Sequence, residues 1–183
     1  MREKKVITAK WLIGYGIIIA AFLLVTGEVV MAMELKSSAF APGGYIPRQY
    51  TGEGKDISPP LFWTDVPAGV ESFVLICDDP DAPVGTWVHW VIYNIPAQNN
   101  ALPENIPVKE SLSDGSKQGI NDFRKSGYGG PMPPPGKAHR YFFKLYALNT
   151  RLDLPPGLRK SEILKRIEDR IIGQAELMGL YKR

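Results

Sequence analysis

The chain has 183 residues, is 44% hydrophobic and 22% charged, and carries a formal net charge of +3. That composition belongs to a folded domain of ordinary size and excludes a disordered chain. Four basic and two acidic residues fall within positions 1–32, leaving a body with 18 basic and 17 acidic residues, which lacks the concentrated basic face of a nucleic-acid binder. Nucleic acid is therefore not expected as a partner.

The N-terminus reads as a targeting segment. Met1–Lys10 is basic, and Trp11–Val25 follows with no charge. This run is shorter than the roughly 20 apolar residues of an ordinary membrane span. A basic start, a short apolar run and the small-residue site Val30-Met31-Ala32 fit an export signal, cleaved or kept as an anchor. The basic flank places the start of the chain in the cytoplasm and the domain outside it. A start at Met33, which opens a plausible soluble domain, is the alternative.

From Glu34 to Tyr146 the apolar segments are short and rich in β-branched and aromatic residues. Ser72–Cys77, Thr86–Ile95 and Arg140–Leu148 have strand composition. Simple alternation puts Trp87, His89, Val91 and Tyr93 on one face of the second strand, and Val88, Trp90 and Ile92 on the other. All 16 prolines lie between Pro42 and Pro156. They punctuate the long loops Asp56–Pro60, Asp79–Gly85 and Gly127–Gly136, where they donate to no ladder. Loops of this length tend to carry function.

Ile163, Leu164, Ile167, Ile171, Ala175 and Met178 recur at helical spacing, which predicts a helix over Ser161–Met178, with Ser161 as N-cap and Gly179 as its stop. There is no internal repeat and no second linker. The expected organisation is a signal or anchor over 1–32 and one domain over 33–183.

The chemistry gathers around two histidines, His89 and His139, and the pair Asp79 and Asp81. Pro80 and Pro83 stiffen the loop that holds the carboxylates. Gly129 and Gly130 allow backbone to come close to a bound group. Three readings are open. An anion pocket would use imidazoles, a tyrosine hydroxyl and loop N–H groups as donors. A metal site could use two His and two Asp, although the HExxH spacing is missing. Acid–base catalysis is the third, although no GxSxG signature is present. The single cysteine, Cys77, excludes an internal disulfide and reads as a buried small hydrophobe.

Several motifs in order resemble the phosphatidylethanolamine-binding protein (PEBP) family, and its prokaryotic Raf-kinase-inhibitor-like (YbhB/YbcL-type) branch in particular. They are Ile57-Ser58-Pro59-Pro60-Leu61 with Trp63, Asp65-Val66-Pro67-Ala68-Gly69, and Asp79-Pro80-Asp81-Ala82-Pro83. Then come Trp87-Val88-His89-Trp90, Tyr128-Gly129-Gly130-Pro131, and Pro134-Pro135-Gly136 leading into His139-Arg140-Tyr141. Ala175–Gly179 looks like the family's last helix. The resemblance covers roughly residues 33–183.

The resemblance implies a mainly β fold, an antiparallel β-sandwich core with a few peripheral helices, one of them near the C-terminus. It implies a small pocket that binds a ligand through Asp79, Asp81, His89, Gly130, Pro131, His139 and Tyr141, with Trp87 and Pro134 in its wall. The implied ligand is a small anion, phosphate or a phospholipid head group. A protease or kinase is the implied protein target, since some members inhibit such enzymes. No catalytic residue, metal or cofactor comes with the family. The membrane would be met through the N-terminal segment if it is uncleaved, and monomer and homodimer are both left open. Val88 stands where mammalian members carry a second histidine.

Overall fold

The structure, a computed structural model, describes residues 32–183; the basic and apolar N-terminal segment lies outside the described residues. Eight strands and one helix make up the domain. They are β1 (Glu34–Lys36), β2 (Leu61–Thr64), β3 (Ser72–Asp79), β4 (Trp87–Pro96), β5 (Ala101–Leu102), β6 (Lys117–Gln118), β7 (His139–Leu148), α1 (Lys160–Ile167) and β8 (Ile171–Tyr181).

The strands form two antiparallel sheets, one in the order β1-β2-β5 and one in the order β6-β4-β3-β7-β8. The main core lies between them. Leu35, Leu61, Trp63 and Leu102 of the small sheet meet Phe73, Leu75, Cys77, Trp90, Ile92, Phe143 and Leu145 of the large one. A second apolar layer covers the outer face of the large sheet, where Ile163 and Ile167 of α1 pack on Val74, Ile76, Val91 and Tyr93. Both isoleucines are fully buried, each worth about 1.5–3 kcal/mol relative to exposure. β3 is covered on both faces, and all eight of its residues are buried. Hence its near-continuous apolar run rather than alternation.

Behind the sheet, the buried carboxylate of Asp78 accepts hydrogen bonds from Lys144 of β7, at 3.0 Å, and from Lys160 at the start of α1. This ionic cluster fixes the helix to the strands beneath it.

The C-terminal segment departs from the helix expected over Ser161–Met178. The helix stops at Ile167, a single 3-10 turn spans Glu168–Arg170, and β8 then pairs with β7 from Leu148↔Ile171 to His139↔Tyr181. The N-cap is Arg159, whose backbone N–H donates to the Glu162 carboxylate at 2.9 Å, so Ser161 sits inside the first turn. The reason is in the spacing. Ile163, Ile167, Ile171 and Ala175 recur every four residues, and four is a multiple of the strand period as well as nearly one helical turn. Gly173 and Gly179 then favour the sheet. A Cβ at Gly173 would lie 2.9 Å from the Pro67 ring, and one at Gly179 would lie 2.6 Å from Ile46. The stretch Ala175–Gly179 is thus strand, not a last helix.

β4 also departs from simple alternation. Cys77 pairs with Trp90 and Asp78 with Val88, leaving His89 as an extra residue, a β-bulge. A second irregularity lies between Phe73↔Ile95 and Leu75↔Ile92, beside Asn94 in the left-handed region. Trp90 and Ile92 consequently face the inter-sheet core, while Val88, Val91 and Tyr93 face α1. Among the described residues no helix is long and apolar enough to cross a membrane.

Candidate functional site

One end of the large sheet, where β3 finishes, β4 begins and β7 begins, holds a cavity of about 230 Å³. Asp79, Trp87, His89, His139 and Tyr141 line it together with Pro134. The sheet order β4-β3-β7 brings them together from three neighbouring strands.

Each polar group is held from behind. Asp79 is buried, and its Oδ2 lies 2.8 Å from His139 Nδ1. Its Oδ1 accepts the Asp81 backbone N–H at 2.8 Å, a local turn that pins the strand end. His89 Nδ1 lies 2.6 Å from the Gly129 carbonyl oxygen. Nδ1 therefore carries the proton, and Nε2 is the nitrogen left for a ligand. The ring is wedged edge-on between Phe123 and Tyr141, with centroids 5.3 and 5.2 Å away. Burial pushes the His89 pKa down, opposed by the Gly129 hydrogen bond and the charge of Asp79.

The Tyr141 hydroxyl is buried close to the Asp79 carboxylate, yet meets the geometry of a hydrogen bond with neither it nor any other group among the described residues. Burial and the negative charge of Asp79 push its pKa up, so the phenol stays a neutral donor. An orphaned buried hydroxyl costs about 1–3 kcal/mol, a cost that an incoming acceptor would relieve.

Asp81, Gly130 and Pro131 lie close to lining residues in the chain but are not themselves among those that line this cavity. The Asp81 carboxylate accepts from Arg140 three times, from the backbone N–H and Nε at 2.9 Å and from Nη2 at 2.7 Å. That guanidinium, above all, holds the Asp81 pKa down at about 2. The carboxylate thus ties the Asp79–Gly85 loop to β7. Gly130 donates its N–H to Asp56 Oδ1 at 2.6 Å, and the Pro131 carbonyl accepts from Gly52 at 2.9 Å. A Cβ at Gly130 would lie 2.6 Å from the Tyr50 carbonyl oxygen. These two residues anchor the proline-rich wall to the segment behind it rather than line the cavity.

Sequence reasoning missed Phe123, Ala82, Pro83, Val84, Met132 and Pro133 in the lining. Five of them belong to the two proline loops already marked as loops. Phe123 had no signal, being a lone aromatic between charged residues. A tight turn aims it, with Arg124 N–H donating to the Asn121 carbonyl at 3.0 Å. Asp56, which holds Gly130, was also missed.

Cys77 is buried, and burial together with the charges of Asp78 and Asp79 pushes its thiol pKa well up, which keeps it protonated and unreactive. Among the described residues no three His, Cys, Asp or Glu side chains converge as metal ligands do.

Comparisons with known proteins converge. Residues 36–182 match the family described as phosphatidylethanolamine-binding protein. A UPF0098 protein of Methanothermobacter thermautotrophicus is 54% identical over 151 residues, which are 82% of this chain and 99% of that protein. The crystal structure of a phosphatidylethanolamine-binding protein homologue from Chlamydia trachomatis superimposes with a TM-score of 0.76 at 39% identity, over 83% of this chain and 98% of that one. The crystal structure of Escherichia coli YbcL, described as a new member of the mammalian PEBP family, gives 0.78 at 32% identity, over 84% of this chain and 99% of that one.

Proposed function

Because the chain belongs to the phosphatidylethanolamine-binding protein family, we propose that it is a binding protein whose sheet-end pocket holds a phosphate-type anion, free or as a phospholipid head group, without catalysing a reaction. The observation that carries this reading is the buried, unpartnered Tyr141 hydroxyl beside His89, whose Nε2 is uncommitted. The Tyr141 hydroxyl donates as it stands, and His89 Nε2 becomes a second donor once an anion draws a proton onto the ring; two donors on rigid strands suit a multi-oxygen acceptor. Asp79 is committed to His139 and to its own turn. The pocket carries no activated nucleophile: Cys77 lies in the core and both histidines are hydrogen-bonded in place.

Calorimetric titration with inorganic phosphate and with phosphoethanolamine tests the reading. Saturable heat that disappears in His89→Ala is expected. No heat with either ligand, from a folded protein, overturns it. The basic and apolar N-terminal segment supports export of the domain, with the pocket acting outside the cytoplasm.

A further inference from the structure

The mouth of the pocket is unusually apolar. Val84, Met132 and Phe123 line the cavity, yet they are 78, 54 and 39% exposed. They come from three separate loops that meet around one opening. The rest of the rim includes Ala82, Pro83, Pro133 and Pro134. Proline has no N–H, so this rim strands few backbone donors when water leaves it. Phe123 is held in place rather than merely exposed. Arg124 adopts a left-handed φ of 62° in the closing turn, and Asn121 accepts the Lys125 N–H through its side chain at 3.1 Å. The Phe123 ring packs edge-on against Trp87 with centroids 5.5 Å apart, and a Cβ at Gly129 would lie 2.7 Å from it.

Charge around this collar has one sign to spare. Arg124 and Lys125 directly follow Phe123, and Lys137 precedes His139 by two positions; all three are exposed and, among the described residues, make no ion pair. Of the nearby carboxylates only Asp56, which accepts the Gly130 N–H behind the wall, lacks a cationic partner among the described residues; the others are occupied. Asp81 holds Arg140, Asp79 faces His139, and Asp122 accepts the Val88 N–H at 2.7 Å and lies 3.9 Å from Arg159. An apolar collar with unpaired cations beside it is the chemistry that sits at an anionic lipid interface.

We propose that this rim docks on an anionic bilayer surface. Val84, Phe123 and Met132 enter the interfacial layer, Arg124, Lys125 and Lys137 face the head groups, and the pocket meets its phosphate on a lipid still in the membrane. The last clause rests on the pocket reading above; the docking itself rests on the collar.

The test uses residues 32–183, which lie within one compact unit and correspond to nearly the whole of the Methanothermobacter relative, so that the apolar N-terminal segment does not itself hold vesicles. The domain is sedimented with vesicles of phosphatidylcholine alone, and of equal parts phosphatidylcholine and phosphatidylglycerol. Stronger binding to the second is expected, weakening with salt. Lys137→Ala should lower partitioning about fivefold, and the triple variant Val84→Ser, Phe123→Ser, Met132→Ser should abolish it. Should the triple variant fail to fold, Lys137→Ala and Val84→Ser decide alone. A domain that stays in the supernatant with both vesicles, as it would if the collar served a protein target, overturns the proposal; so does binding that the substitutions leave unchanged. Phosphate calorimetry on the same domain separates the two readings. Phosphate heat without vesicle binding refutes docking only, and collar-dependent vesicle binding without phosphate heat refutes the pocket reading only.

Discussion

Asp79 and His139 are 60 residues apart in the chain and 2.8 Å apart in space. Antiparallel pairing of β3 with β7 creates that relationship, since it sets the end of one strand beside the start of the other. The carboxylate fixes the ring through Nδ1, so His139 offers Nε2 in a defined direction.

Asp79→Ala should release that ring and the turn at Asp81 together. The Asp81 N–H loses its acceptor and His139 its orienting partner. A loss of about 1–3 kcal/mol in denaturant unfolding is expected, with phosphate binding weakened at least tenfold. Asp79→Asn keeps an acceptor for the Asp81 N–H and should recover more of the stability than of the binding.

Anion affinity should rise as the pH falls. Burial lowers the His89 pKa, so the empty pocket holds a neutral imidazole whose Nε2 accepts. Protonation turns Nε2 into a donor and adds positive charge, and an anion favours that form. Sulfate, whose charge does not change over the range in which an imidazole titrates, isolates the effect from the titration of phosphate; its calorimetric affinity should increase as the pH falls from about 8 to about 5 in the wild type, and no saturable heat should remain in His89→Ala. Without ligand the sign for stability is opposite. Folding disfavours protonated His89, so its contribution is present above the ordinary value of 6.5 and is lost as the pH falls below it toward the lowered folded value. A thermal midpoint that drops in this window without anion, and less with sulfate present, is the expected pattern.

Arg140→Ala should loosen the Asp79–Gly85 loop without touching the ligand. Three hydrogen bonds link Arg140 to Asp81, one of them from the backbone N–H, which survives the substitution. The remaining pair is exposed to solvent, which keeps the stability change small. Because Arg140 holds the Asp81 pKa at about 2, stability contributed by Asp81 is full above its ordinary value of 3.8 and declines as the pH falls toward 2. Arg140→Ala should flatten that acid limb in pH-dependent unfolding.

Asp78→Ala removes the buried partner of two lysines. Lys144 and Lys160 retain some exposure and can turn to solvent, so the cost should lie near the low end of the range for a broken buried pair, about 3 kcal/mol. Denaturant unfolding reads the loss. Lys160→Met leaves the Lys144 contact in place and should cost less.

Much of the sheet was legible because β3, β4 and β7 are long, apolar and bounded by proline loops. The pocket was legible through its motifs, yet three of the residues implied by the resemblance are absent from the lining of this cavity. Asp81 serves Arg140, and Gly130 and Pro131 hold the wall from behind. Nothing local distinguishes a residue that faces a ligand from one that positions the loop beside it. β8 was misread because its apolar residues recur at a spacing that both periods share. Phe123 was invisible because a turn, not a pattern, directs it.

The bulge at His89 has a further consequence. Because Trp87, His89 and Trp90 all project toward the inner side of the sheet only while one surplus residue is looped into β4, chain length there matters as much as residue identity. A deletion that removed the surplus residue would restore regular pairing and leave the sheet intact, yet the strand would offer the cavity no imidazole. In drifting descendants of this fold, loss of binding could therefore arrive through a gap in the alignment rather than through any substitution.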